Sequence, residues 1–320
     1  MITKTIDRNF SNMRLDRFLR KAFPNEPLSV FFAVLRKKKV RVNGKVAKAN
    51  LMLAEGDLVQ IYENFKSLES NISTPQKPLW GKKPTYTSPE YLKENLDIVL
   101  ESEDYIVVNK PSGVPSQPGS GTRPGESLVE MLWEWGKNND LDFKPTIAHR
   151  LDQETSGLLV CALHGDTLRE LTKLIREHKV DKYYLALVKG NLKKERGSIR
   201  LSLSRTNAPQ GSKMKVTEEG LSAVTHYSVK QHFQDFDLVK IKLETGKMHQ
   251  IRAHFAALGH PLAGDTRYGD FALNRELKKS CSLNRLFLHS TRLEFDWNGK
   301  HIVVDSALPK ELLSVLQNLK

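Results

Sequence analysis

The part of the sequence best suited to chemistry is the stretch HRLDQETSGLLV at residues 149–160, which places Asp152 between a basic pair and a turn. The apolar run at 158–163 predicts a buried strand, so we expect Asp152 on a loop that enters the core. A neighbouring cation, Arg150, and the backbone amides of the Thr-Ser-Gly turn would favour an ionised carboxylate. That state suits a nucleophile better than a proton donor. The alternative is that Asp152 only caps a turn and pairs with Arg150.

The elements that would have to position this loop are mostly strands. Alternating or β-branched patterns predict strands at 96–101, 105–109, 184–188, 198–203, 223–233, 236–243, 286–295 and 301–304. Helical spacing of apolar residues predicts helices at 127–135, 167–178, 248–258 and 309–319. Many strands with few helices between them predict an α+β fold with a mixed, largely antiparallel sheet.

The charge of the chain is unevenly distributed. Its 320 residues include 50 Lys and Arg against 37 Asp and Glu, a formal charge of +13. Residues 1–62 contain thirteen of these basic residues and five of the acidic ones, a net charge of +8. Such a concentration favours a nucleic-acid partner, although a charged surface that only keeps the protein soluble is the alternative. The residues expected to contact RNA here are Arg14, Arg17, Arg36, Lys37, Lys38, Lys39 and Arg41.

Residues 1–62 are also expected to fold as a small α+β domain. Apolar spacing predicts one helix that ends at Pro24 and a second helix for which Ser29 is a plausible N-cap. The dipeptide Asn43-Gly44 predicts a hairpin. Residues 63–92 contain four prolines and no periodicity, which predicts a flexible linker. A larger catalytic domain is then expected at 93–320, with its own core.

Several classes of protein and site are not expected. The two cysteines, Cys161 and Cys281, are too few for a disulfide framework or a zinc site, and Cys161 is expected in the core. His249 and His254 are five residues apart and do not share a helix face, so no metal site is expected there. The chain has no Walker A loop and no dinucleotide fingerprint, and we expect no cofactor. Without a signal-like or membrane-length apolar stretch, a cytoplasmic, monomeric protein is expected.

Four segments, taken in order, resemble those of a known family. They are VVNKPSGVP at 107–115, HRLDQETSGLLV at 149–160, KYYLALVKG at 182–190 and TGKMHQIRAH at 245–254. This ordered set resembles the pseudouridine synthases that modify ribosomal and transfer RNA. The segment at 267–289 looks like the branch of that family that acts on large-subunit ribosomal RNA. The N-terminal domain resembles the S4 RNA-binding domain, and the resemblance implies that the first of the four segments braces the active-site loop.

The resemblance implies specific roles for five residues. Asp152 matches the catalytic aspartate of the HRLD segment, Tyr184 matches the tyrosine of the KxY segment, and Arg252 matches the arginine of HQIR. Arg150 would help to displace the target base from its stack. Lys247 stands where the family commonly has arginine, so it keeps the charge for a phosphate contact but loses the bidentate geometry.

The sequence is compatible with three other functions. The chain could be a catalytically silent RNA-binding or ribosome-assembly factor on the same fold, since fold does not guarantee activity. It could be a synthase directed at transfer RNA. It could also be a glycosidase or nucleobase-releasing enzyme, which would need a second carboxylic acid beside Asp152, and Glu154 is the local candidate.

Overall fold

The structure is a computed structural model that describes residues 1–24, 26–63, 96–119, 125–206 and 213–319. The predicted linker at 63–92 lies outside the described residues, apart from Glu63. Among the described residues, no helix combines the length and the apolar composition needed to span a bilayer.

The N-terminal part consists of two helices and two small sheets. Its elements are β1 (Ile2–Thr5), β2 (Met13–Arg14), α1 (Leu15–Ala22), α2 (Leu28–Arg36), β3 (Val40–Val42), β4 (Lys45–Val46), β5 (Met52–Leu53) and β6 (Leu58–Ile61). The sheet order is β1-β6-β3-β4, with β2 paired to β5. Leu15, Phe18 and Leu19 on α1 join a buried cluster of this part alone. The predicted small α+β domain is therefore present.

Two local predictions in this part have different outcomes. The hairpin prediction is confirmed, because Asn43 and Gly44 both have positive φ, as a type I′ turn requires. The N-cap prediction is wrong: α2 follows Pro27, and Ser29 lies inside the helix. Pro27 is itself the N-cap residue, with extended backbone, and α2 begins without a side-chain cap.

The C-terminal part alternates long strands with a few helices. Its first elements are β7 (Asp97–Glu101), β8 (Tyr105–Lys110), α3 (Leu128–Asn138), β9 (Thr146–Ile147), β10 (Ser156–Ala162), α4 (Gly165–Arg176) and β11 (Val180–Lys189). The next are β12 (Arg196–Arg200), β13 (Leu203–Thr206), β14 (Lys213–Val216), β15 (Val224–His232) and β16 (Phe236–Leu243). The last are α5 (Gln250–Ala257), α6 (Phe271–Ser280), β17 (Leu288–Trp297), β18 (Lys300–Asp305) and α7 (Lys310–Asn318).

One ten-stranded sheet organises this part. Its order is β12-β15-β16-β11-β17-β10-β8-β7, with β18 on β17 and β9 on β10. Only the β10–β17 pair is parallel among the described strands, which confirms the predicted α+β fold with a largely antiparallel sheet. All seven residues of β10 are buried, because Leu159 and Cys161 face one apolar cluster while Leu158 and Val160 face another. A strand that is covered on both faces reads as a continuous apolar run.

The boundaries differ from the predictions in two places. The strand predicted at 198–203 is divided between β12, which pairs with β15, and β13, which pairs with β14 in a separate hairpin. Helix α6 was not predicted, because Leu277 is its only buried residue and an apolar stripe is almost absent. Its N-cap signal was available, since the Asp270 carboxylate accepts the amides of Ala272 and Leu273.

The N-terminal and C-terminal parts touch each other directly. The Arg8 guanidinium forms ion pairs with Asp104 and Asp166 at 2.5 Å each. Arg169 on α4 donates to the carbonyl oxygen of Asn9 at 3.1 Å. The two parts, which the sequence suggests are joined by a linker, therefore also share a polar contact.

Candidate active site

The loop that carries Asp152 leads into β10, an interior strand of the sheet, and a turn next to the loop holds its backbone. The Ser112 hydroxyl donates to the carbonyl of Glu154 at 2.7 Å. The Ser116 hydroxyl donates to the carbonyl of Leu151 at 2.7 Å and accepts the Leu151 amide at 3.1 Å. These bonds fix the loop on both sides of Asp152, as expected for a bracing segment.

Lys110 also links the turn to the loop that carries Asp152. Its side chain is fully buried, and its ammonium donates to the carbonyls of Pro111, Val114 and Gln153 at 2.8, 2.7 and 3.1 Å. Burial lowers the pKa of Lys110 to about 7, with the charge of Arg285 adding to this effect. Three carbonyls from the turn and from the loop therefore converge on one side-chain nitrogen.

Arg252 is the centre of the charged cluster. Its side chain is 2% exposed and forms a bidentate pair with Asp265, at 2.7 Å from Nε and 2.8 Å from Nη2. Nη2 also contacts Glu154 at 2.8 Å, and Nη1 lies 3.5 Å from Oδ2 of Asp152. Burial alone would lower the pKa of Arg252, but the hydrogen bonds and charge of Asp265 outweigh it and raise that pKa. The guanidinium is thus a permanent cation held against the loop.

The expected surroundings of Asp152 need correction. Arg150 is exposed and forms no ion pair within the described ranges, and no amide of the Thr-Ser-Gly turn donates to the Asp152 carboxylate there. The cation beside Asp152 is Arg252, which is brought in by α5. Both the predicted stabilisation by Arg150 and the alternative of a local Arg150–Asp152 pair are therefore wrong, because the loop directs Arg150 toward solvent and Asp152 toward the sheet.

Tyr184 lies on β11 near Asp152. Its side chain is buried, and burial, together with the charge of Asp152, raises its pKa above the ordinary value. The hydroxyl is therefore neutral at physiological pH. Its partner in the strand register is Ser290 on β17. Three segments far apart in sequence thus bring Asp152, Tyr184 and Arg252 to one place.

The histidines at positions 249, 254 and 260 have separate surroundings. His254 bonds to Thr225 and to the carbonyl of Leu201, and His260 bonds to the carbonyl of Lys189. His249 is instead beside the carboxylate of Asp152, at 3.9 Å. Within the described part of the chain, no group of three or more His, Cys, Asp and Glu side chains is arranged to hold a metal ion.

The basic residues predicted to contact RNA are only partly available. Arg14 is paired with Asp16, Lys39 with Glu63, and Arg41 lies over the ring of Tyr62. The remaining residues of the N-terminal set are exposed and form no ion pair with another described residue; they are Arg17, Arg36, Lys37 and Lys38. In the C-terminal part, the ammonium of the half-buried Lys247 has no hydrogen-bond partner among the described residues.

Asp265 is the site residue that sequence reasoning missed. Besides the bidentate pair with Arg252, its carboxylate accepts the amides of Arg267 and Tyr268 at 2.8 and 2.9 Å. Its pKa is lowered although burial opposes this, because hydrogen bonds and charge from Arg252 dominate. The available signal was an acid in the Gly-Asp-Thr turn that follows the HQIR helix. A fully buried arginine requires such a counter-charge.

Family models match both parts of the chain. A model described as RNA pseudouridylate synthase matches residues 104–257, and a model described as S4 domain matches residues 13–59. Among solved structures, Human RNA Pseudouridylate Synthase Domain Containing 1 is 28% identical with a TM-score of 0.54, and the match covers 68% of this chain and 84% of that one.

Whole-length relatives agree with these matches. A Buchnera aphidicola protein named Ribosomal large subunit pseudouridine synthase C is 34% identical over 91% of this chain and 88% of its own length. A protein of the same name from Haemophilus influenzae is 33% identical over 99% of this chain and 94% of its own. One from Escherichia coli K12 is 33% identical over 97% and 94%. The chain therefore belongs to the RNA pseudouridylate synthase family and carries an S4 domain at its N-terminus.

Proposed function

We propose that this protein isomerises uridines of large-subunit ribosomal RNA to pseudouridine, with Asp152, Tyr184 and Arg252 as its catalytic residues. The observation that carries the proposal is the convergence of these three side chains on one braced loop. Relatives that align with almost the whole chain bear the name of a large-subunit synthase, which supports the choice of RNA.

The reaction requires a carboxylate at the sugar. The C1′–N1 bond of uridine breaks, the uracil rotates, and C1′ bonds to C5; C5 then loses a proton and N1 gains one. Asp152 either bonds to C1′ or assists elimination to a glycal, and both routes need it ionised. Arg252 supplies a fixed positive charge at 3.5 Å for that purpose. The exposed Arg150 is free to occupy the space of the displaced base.

Tyr184 would interact with the uracil base. The ring would offer a stacking face for the flipped base, and the hydroxyl would assist loss of the C5 proton. Because the pKa of Tyr184 is raised by burial and by Asp152, the hydroxyl would act as a neutral group.

The rival chemistry has less support. A glycosidase would need a second acid that is free to protonate the leaving group. Glu154 is held by Arg252 at 2.8 Å and by the Thr266 hydroxyl at 2.8 Å, which fits a structural counter-ion. A silent RNA-binding factor would have no need to keep a buried arginine against the Asp152 loop.

The test of the substrate is a map of pseudouridine in RNA from a strain that lacks this protein. We expect one or more sites in large-subunit ribosomal RNA to be lost, and to return with the wild-type chain but not with Asp152→Asn. Loss confined to transfer RNA would contradict the proposed target and favour the transfer-RNA alternative. We further propose that the protein acts in the cytoplasm as a monomer and without a cofactor, since the chemistry described needs none.

Tyr184→Phe removes only the hydroxyl. We expect RNA binding to be kept and the single-turnover rate to fall by roughly a hundredfold or more, because a positioned acid–base group contributes about that factor. The matched control is Tyr183→Phe on the same strand, where the ring instead packs against the Lys240 ammonium at 4.5 Å. Equal rates for the two variants would reduce Tyr184 to a packing residue.

Deletion of residues 1–63 should weaken RNA binding without destroying the site. The slope of log affinity against log salt should flatten by roughly 0.7 to 0.9 for each RNA phosphate that the deleted domain had neutralised. The C-terminal part should stay folded because its apolar clusters are its own, and it should still react with a short stem-loop at saturation. Arg8→Ala separates the two effects: it breaks the contact with Asp104 and Asp166 but keeps the basic surface. An unchanged salt slope on deletion would show that the S4 domain is not an RNA clamp.

A further inference from the structure

We infer that His249 is a positioning residue of the active site, which presents an N–H group to Asp152 and is itself oriented by the hydroxyl of Tyr268. The inference rests on the proposed function and adds two residues to the catalytic machinery of Asp152, Tyr184 and Arg252. It is carried by a directional chain of two hydrogen bonds that ends at the imidazole of His249, whose Nε2 lies 3.9 Å from Oδ2 of Asp152.

The chain of hydrogen bonds starts at a backbone amide. The Met214 amide donates to the Tyr268 oxygen at 2.7 Å, and the same oxygen lies 3.0 Å from Nδ1 of His249. A tyrosine hydroxyl has one hydrogen, and Nδ1 is its hydrogen-bond acceptor among the described residues. If Nδ1 instead carried a hydrogen, the hydroxyl hydrogen would have no acceptor there. The tyrosine therefore donates, and Nδ1 accepts.

This assignment decides which nitrogen of His249 carries the proton. A neutral imidazole with an accepting Nδ1 has its hydrogen on Nε2. Nε2 is the nitrogen that faces Asp152, at 3.9 Å from Oδ2. The pKa of His249 is lowered, first by burial and then by the charges of Arg252 and Arg267, although Asp152 opposes this. The ring is thus neutral at physiological pH and offers a donor to the carboxylate.

Two groups therefore approach the same oxygen of Asp152. Nη1 of Arg252 is 3.5 Å from Oδ2, and Nε2 of His249 is 3.9 Å from it. Both distances exceed a hydrogen bond, and in unliganded enzymes such contacts commonly shorten when substrate binds. With Oδ2 held from two directions, Oδ1 is left as the oxygen for C1′. His249 would limit rotation of the Asp152 carboxylate about its Cβ–Cγ bond.

The surroundings of Tyr268 show that it is placed for this role. The amide of Tyr268 is bound by Asp265, and its ring lies 5.4 Å from the guanidinium carbon of Arg252 and packs edge-on to His249. Asp265 thereby fixes both Arg252 and the tyrosine that orients His249. Four charged groups act on the imidazole of His249; they are Asp152, Arg252, Asp265 and Arg267.

The choice of variants follows from the backbone. His249 has φ of 51°, in the left-handed region that asparagine tolerates well. His249→Asn keeps that backbone and can accept from Tyr268 through its amide oxygen, but it has no donor at the Nε2 position. His249→Gln places an amide N–H near that position. His260→Asn makes the same exchange at a histidine remote from Asp152.

The experiment measures the single-turnover rate at saturating enzyme, RNA affinity and melting temperature for the full-length chain, with unmodified large-subunit ribosomal RNA transcript as the probe. His249→Asn should lose roughly tenfold to a hundredfold in rate, the cost of a misplaced reacting group, with affinity unchanged. His249→Gln should recover most of the loss, and His260→Asn should match the wild type. Tyr268→Phe should slow the reaction, and its combination with His249→Asn should be no slower than His249→Asn alone.

Two results would overturn the inference. One is additive losses in the double variant, which would show that Tyr268 does not act through His249. The other is a His249→Gln protein that melts like the wild type but is no faster than His249→Asn. A wild-type protein that forms no pseudouridine on this transcript would instead overturn the proposed function on which the inference rests.

Discussion

Asp152→Asn is expected to abolish pseudouridine formation while RNA binding survives. The amide has nearly the shape of the carboxylate, but it is not a nucleophile and cannot compensate a developing positive charge at C1′. Asp152 is accessible, with a side chain 16% exposed, and its backbone is held by the Ser116 contacts to Leu151. The fold should therefore tolerate the exchange.

The measurement is the single-turnover rate on large-subunit ribosomal RNA, beside affinity from a filter-binding titration. Asp140→Asn is the matched control, because Asp140 is exposed in a turn at φ of 52°, where asparagine fits equally well. A rate for Asp152→Asn within about a hundredfold of wild type, less than about 3 kcal/mol of barrier, would remove Asp152 from the central role.

Arg252→Met should be the most damaging change to the structure of the site. It removes the partner of Asp265, whose side chain is fully buried, and leaves that carboxylate without a counter-charge. Breaking one side of a buried ion pair costs roughly 3–5 kcal/mol. We expect the free energy of unfolding to fall by about that amount and the activity to be lost.

A second substitution separates the two roles of Arg252. In the double variant Arg252→Met, Asp265→Asn, no buried charge is left unpaired, so much of the lost stability should return. Activity should not return, because Asp152 would still lack its cation. The measurements are urea unfolding and the single-turnover rate. A double variant that regains activity would show that Arg252 only neutralises Asp265. A double variant that does not regain stability would show that the unpaired Asp265 is not the cause of the lost stability.

Parts of the site and of the fold are encoded in short stretches of the sequence. Asp152 lies in the segment at residues 149–160, where the charged residues, the turn residues and the apolar run together indicate a loop before a buried strand. Strands β8, β10, β11 and β16 were predicted because their apolar residues are continuous or alternate. The hairpin at Asn43-Gly44 was predicted from turn chemistry alone.

What could not be predicted depends on tertiary contacts. The cation beside Asp152 was expected to be Arg150, two residues away in the sequence. It is Arg252, which lies on α5, in a distant part of the sequence. Asp265 was missed because a single acid in a turn gives no local sign that it will meet a buried arginine. The ion pair of Arg8 with Asp104 likewise joins two segments that are far apart in the sequence. Pairings of this kind follow from sheet order, which local periodicity does not determine.

The most direct test of the central claim is a separation of the nucleosides formed when purified protein reacts with an unmodified large-subunit ribosomal RNA transcript. After digestion, we predict a product with the mass of uridine but a different retention time, formed by the wild type and absent with Asp152→Asn. Release of free uracil would contradict isomerisation and identify a nucleobase-releasing enzyme. Unchanged uridine with the wild type, although the RNA is bound, would identify a silent RNA-binding factor.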